Sequence, residues 1–190
     1  MTLAYHFVGE TLRDGSPIPE IGTWEVFEGE CVVCESGLHA SRDPFDALRY
    51  APGQTLRLVE VDDIVTEQDD KLVCKRRRTV KQIDATVLLD RFARQCALDV
   101  IDLWEAPAVV RQYLETGDES IRSATQEAAR SATRAAARSA TRAAARDAAA
   151  AAWEAAWAAA EAAGAAWNAA EAARGSQRAK FNEMVNEAFK

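Results

Sequence analysis

Short runs of apolar residues recur at every second position over roughly the first 85 residues, the spacing of strands with one buried face. Residues 3–8 make a first strand. Residues 23–27 and 30–34 predict a hairpin around Glu28-Gly29, after a loop at 13–19 that holds Gly15, Pro17 and Pro19. Ser36-Gly37 predicts a turn into an extended piece at 38–41. Residues 43–50 then predict a short helix capped by Ser41 or Asp43, with Pro44 in its first turn and Phe45, Ala47 and Leu48 inward. Residues 55–61 set Leu56, Leu58 and Glu60 against Arg57, Val59 and Val61, a strand buried mainly on one face. Asp69-Asp70 predicts the turn into a further strand at 71–83. Leu88, Leu89, Phe92, Cys96 and Val100 then switch to helical spacing within 85–104, and residues 107–114 predict one more helix, ended by Thr116-Gly117.

Past Gly117 the pattern changes. Ser123-Ala124-Thr125, Ser131-Ala132-Thr133 and Ser139-Ala140-Thr141 form an eight-residue repeat in an alanine background without proline, which favours helix strongly. Asp118 or Ser120 suits its N-cap. Gly164 is its weak point, and Gly175-Ser176 predicts its end. Residues 177–189 predict a last helix whose Phe181, Met184, Val185, Ala188 and Phe189 share one apolar face in need of a partner surface. The fold class expected is α+β: a small mixed or antiparallel sheet with short helices, followed by long alanine-rich helices. The segments expected are 1–116, 117–174 and 175–190. One unbroken helix over 118–174 would be on the order of 80 Å long. It must protrude, fold back near Asp147 or Gly164, or pair with another chain.

Composition narrows the function. Alanine inflates the 48% hydrophobic content, so the real core lies before residue 115. A net charge of -7 disfavours a general nucleic-acid binder, while local basic patches stay open. No basic n-region opens the sequence, and Arg and Glu interrupt every apolar run that would approach a membrane span. The expected compartment is cytoplasm, with Cys31, Cys34, Cys74 and Cys96 as reduced thiols. Cys31, Cys34, His39 and Cys74 would offer four zinc ligands, but a second tight pair is missing. Small buried thiols are the favoured reading, and no metal is expected.

Arg76-Arg77-Arg78 with Lys71, Lys75 and Lys81 makes a basic strand, suited to phosphates or an acidic surface, or to blunting a sheet edge. Arg130, Arg134, Arg138, Arg142 and Arg146 recur every four residues. Like charges at that spacing repel, which points to a compensating partner. Trp153, Trp157 and Trp167 fall in a narrow arc beyond, as anchors or interface residues. Basic residues dominate 122–146 and acidic ones 147–173, which suits antiparallel self-association or a hairpin.

Tyr5-His6-Phe7-Val8, then Gly37-Leu38-His39-Ala40-Ser41, then Ala47-x-x-Tyr50-Ala51 resemble the ADP-ribosyltransferase-like fold. With Asp69-Asp70-Lys71 and the basic strand, the stretch more closely resembles a domain family common in phages and prophages, some members of which carry an alanine-rich tail. The first resemblance implies an NAD or nucleotide pocket in which His6 holds the nicotinamide ribose, Ser41 lies on the second strand and Tyr50 walls the site. The glutamate such a transferase uses late in the domain is replaced by Asp69-Asp70-Lys71. Glu60 lies on the wrong strand, which points to an inactive relative. The expectation is a non-enzymatic accessory protein of a phage or prophage, acting in the bacterial host cytoplasm. It binds a host protein, with counter-defence as the setting, or a nucleotide, and assembles through its helix. The alternatives are an active ADP-ribosyltransferase, a nucleotide-messenger sponge, or a purely structural spacer.

Overall fold

A computed structural model describes residues 2–12, 14–147 and 152–190, without the side chains of 137 and 139–169. Five strands form one antiparallel sheet: β1 Thr2–Val8, β2 Trp24–Val26, β3 Leu38–Ala40, β4 Thr55–Glu67 and β5 Leu72–Asp84. The order is β1-β4-β5-β2, and β3 pairs with β5 farther along the edge that β2 uses. Ser41, just past β3, pairs back onto Tyr5 of β1, with backbone hydrogen bonds of 2.7 and 2.9 Å. The strand path therefore returns to its start, and the sheet curls around a core of Ala4, Ala40, Val59, Val61, Leu72 and Cys74.

Helix α1, Pro44–Leu48, follows β3. Asp43 caps it by accepting the Phe45 N–H at 2.8 Å, and Pro44 opens it, as expected of both residues. Two compact units emerge. The first contains the sheet, α1 and the chain up to Asp90, together with Arg178–Lys190. The second spans Arg91–Gln177.

In the second unit, α2 (Thr86–Leu98, begun in the first unit) leads to a 3-10 turn at Ile101–Leu103 and to α3, Ala108–Thr116. Gly117 ends α3 at φ 67, the left-handed cap that glycine adopts without strain. Helix α4, Arg122–Asp147, packs its start on α3. There the buried Thr125 hydroxyl donates to Val109 O (3.2 Å) and Ile121 O (2.9 Å).

Helix α5, Ala152–Ala188, corrects one expectation. It runs unbroken through Gly164, Gly175 and Ser176, so Gly175 is not a C-terminal cap. A mid-helix glycine costs only about 1 kcal/mol. Downstream anchoring offsets that cost, because Phe181 and Val185 are fully buried in the first unit. Among the described residues, no helix is long and apolar enough to cross a membrane.

The hairpin over 23–34 does not form. β2 instead joins β5, with Trp24 opposite Arg78, and residues 32–36 close a tight turn of their own. A long strand with an open edge offers a short neighbour more hydrogen bonds than a second short strand does. The 55–61 alternation left open which face is buried, and the Arg57, Val59 and Val61 set is the more buried one. Leu56, Arg57, Val59 and Val61 are all buried, while Leu58 and Glu60 are half-buried, because the curled sheet is covered on both sides here. A register shift between Leu58 and Val59 breaks the parity of the pairing.

Candidate functional site

The three residues predicted to line a pocket divide between two neighbouring clusters. Ser41 is 2% exposed, and its hydroxyl donates to Asp70 O at 2.7 Å. Tyr50 stands 47% exposed, and its hydroxyl donates to the Asp70 carboxylate at 2.5 Å. Arg49 holds the same carboxylate at 3.0 Å. These contacts, the Tyr50 hydroxyl first, keep Asp70 below the usual carboxylate range. Lys71 links the cluster to the cysteines: its Nζ lies 2.9 Å from Cys34 Sγ, 3.3 Å from Tyr50 Oη and 4.8 Å from the Tyr50 ring centre.

The turn before β3 positions this cluster. Gly37 has φ 97, and a Cβ there would lie 2.6 Å from Val73 Cγ2 and 2.9 Å from Cys31 Sγ, so only glycine fits. His39 accepts the Cys34 N–H at Nε2 (3.0 Å), which leaves Nδ1 to donate to Gly37 O (3.1 Å). Cys34 is exposed, and Cys74 is buried deeply enough to push its thiol up to about 11. Burial therefore keeps the Cys74 thiol protonated at pH 7.

His6 belongs to the other cluster, which is built of interior charges. It lies directly across from Arg57 in the β1–β4 register. Arg57 and Arg77 are 5% and 4% exposed. Glu25 of β2 faces Arg77 of β5 and takes it bidentately, with Nε to Oε1 at 3.1 Å and Nη2 to Oε2 at 2.9 Å. Arg77 Nη1 donates to His39 O at 2.5 Å. Arg57 donates to Thr79 Oγ1 at 2.9 Å and to Pro19 O at 3.1 Å. Burial first, then the charges of Arg77 and Arg57, hold His6 well below the ordinary histidine range, so it is neutral at pH 7.

The basic strand is neither a sheet edge nor an open phosphate site. β5 is central, and its three consecutive arginines each hold a carboxylate: Arg76 with Asp62 (3.0 Å), Arg77 with Glu25 and Arg78 with Glu60 (2.5 Å). Arg76 and Arg78 also lie over the Trp24 ring, at 4.7 and 4.8 Å from its centre.

Sequence reasoning missed Arg57 and Glu25 as interior residues, and Asp46 with them. Arg57 sits in a run where both parities carry aliphatic residues, so the pattern alone did not assign its face. Of the helix positions predicted to make contacts, Arg130, Arg134 and Arg138 are exposed on α4. The side chains of Arg142, Arg146, Trp153, Trp157 and Trp167 lie outside the described residues.

Residues 2–91 match the family described as a domain of unknown function, DUF7666, a span that coincides with the sheet part of the first unit. No curated protein and no solved structure matches the chain.

Proposed function

We propose that the chain is a non-catalytic binding protein, of the accessory kind carried by phages and prophages, that acts in the cytoplasm of the bacterial host. The sheet domain holds a host protein or a nucleotide, and the alanine-rich helix assembles copies. Counter-defence is the setting the resemblance implies. One observation favours binding over turnover: the polar groups a transferase would turn on its substrate are committed within the protein. Ser41 and Tyr50 both donate to Asp70. Glu25, Glu60 and Glu67 hold Arg77, Arg78 and Arg42. Cleaving a nicotinamide glycosidic bond needs a carboxylate free to face the developing oxocarbenium ion, and a missing stabiliser of that kind costs orders of magnitude in rate.

Incubating the purified chain and a bacterial lysate with labelled NAD tests this reading. The expected outcome is no label on the chain or on any lysate protein. Label transfer that disappears with His6→Ala would replace the reading with an active ADP-ribosyltransferase. Affinity capture, followed by reconstitution with the purified candidate, tests the partner. Without an equimolar complex, the host-protein half of the reading falls.

A further inference from the structure

Two buried guanidiniums present the same edge, made by Nε and Nη2, and only one of them has an acid on it. On Arg77, Glu25 fills the edge with two hydrogen bonds, and Nη1 is taken by His39 O. On Arg57, Nη1 is taken by Thr79, Nη2 meets only the Pro19 carbonyl, and Nε is shut from solvent with no partner. The interior cluster thus holds two arginines against one glutamate, with His6 neutral beside them. A buried cation whose hydrogen-bond acceptors are all neutral is costly, and an anion taken onto its Nε–Nη2 edge, once the Pro19 carbonyl is displaced, removes that cost.

Arg57 and Pro19 both border an open cleft of about 500 Å³, a size usual for small-molecule sites. Val8, Ile18 and Ile21 give it apolar walls, and Thr55 and Gln82 give it polar ones. Gln82 continues the row His6–Arg57 across the sheet. The exposed Glu20 also lines the cleft.

We propose that this cleft binds a small molecule bearing one phosphate or carboxylate group. Arg57 takes the oxyanion side-on through Nε–H and Nη2–H, displacing the Pro19 carbonyl, as Arg77 takes Glu25. Side-on pairing of this kind is the strong, directional form of arginine recognition. The apolar body of the ligand rests on Ile18 and Ile21. Glu20 disfavours polyanions and accepts a hydroxyl or amino group from the ligand. The site stands independently of the host-protein half of the proposed function, and a response to adenosine monophosphate would bear on its nucleotide half.

The test follows the arginine Nε–Hε resonances of the ¹⁵N-labelled full chain during titration with inorganic phosphate, benzoate and adenosine monophosphate. Phosphate against benzoate separates the two anion sources. The Arg57 signal should move saturably with at least one probe, while the Arg77 signal, already occupied, stays. Arg57→Met should abolish binding. Ile21→Glu, on an exposed part of the rim, should weaken it about tenfold by placing a like charge at the mouth. Should Arg57→Met fail to fold, Ile21→Glu and the Arg77 signal decide. The proposal is overturned if the Arg57 signal is unmoved by all three probes, if it moves no more than those of surface arginines, or if Ile21→Glu titrates like the wild type.

Discussion

Protonating His6 would add a third positive charge to a cluster that already holds two guanidiniums and one carboxylate. Its folded-state pKa is depressed, for which burial is the first cause. In the unfolded chain the same imidazole takes its proton near pH 6.5. The stabilising contribution is therefore fully present above about pH 6.5 and is lost as pH falls below it towards the folded-state pKa. The limiting slope for one proton is about 1.4 kcal/mol per pH unit. Urea unfolding between pH 7.5 and 5.5 should show the wild type losing about 1.4 kcal/mol in all through this group, with the limiting slope approached only at the acid end, and His6→Asn losing clearly less. Parallel curves would mean that His6 charges freely in the folded state. At this scale the short motifs that flank His6, Ser41 and Tyr50 were legible, and the contacts of these side chains were not. Each contact is made with a residue distant in sequence: Arg57 across the sheet for His6, and Asp70 for the other two.

The last turns of α5 show the same division at the scale of elements. The apolar face of Phe181 and Val185 was readable from its spacing, and its need for a partner surface was borne out. Its receptor was not readable, since α1 lies more than 130 residues earlier. Phe181 meets the Phe45 ring edge-on at 6.1 Å between centres. Arg178 reaches Asp46 with both Nη atoms (2.7 and 2.6 Å) and Asp43 at 3.0 Å, and it lies 5.3 Å over the Phe45 ring. Asn182 donates to Asp43 at 2.8 Å, and Lys81 donates to Phe189 O at 2.5 Å. Phe181→Ala should cost about 3–5 kcal/mol by leaving a cavity. Arg178→Ala strands the buried Asp46 carboxylate. Because Arg178 itself is partly solvated, about 2–3 kcal/mol is expected, below the cost of breaking a fully buried pair. Denaturant midpoints check both, and a change under 1 kcal/mol in either would show that the segment merely rests on the domain. The misread hairpin has the same origin: residues 23–34 look self-sufficient locally, and only the open edge of β5 decides otherwise.

At the scale of the whole molecule, the charge asymmetry of the alanine-rich segment implies an orientation. Six arginines against Glu127 occupy residues 122–146, while Asp147, Glu154, Glu161 and Glu171 occupy 147–173 without a basic residue. Two copies lying antiparallel set unlike halves together, and small side chains let helix axes approach closely. Individual surface pairs contribute little, so packing supplies most of the affinity and charge sets direction. Light scattering should find a dimer that high salt weakens, and Arg134/Arg138/Arg142→Glu should shift it to monomer. A monomer under every condition would remove self-association.

The Phe45 face of the sheet domain also has a history in time, because a ribosome delivers its cover late. Strand β5 ends at Asp84, and Phe181 is translated nearly a hundred residues later. At roughly 5–20 residues per second, the domain waits on the order of 5–20 s for the first of the buried side chains its C-terminal segment supplies. During that interval the Phe45 ring and the Asp46 carboxylate stand open to solvent and to chaperones. A ribosome halted anywhere in the alanine tract would release a sheet without its plug, so completion of this domain reports that synthesis has passed through the helix.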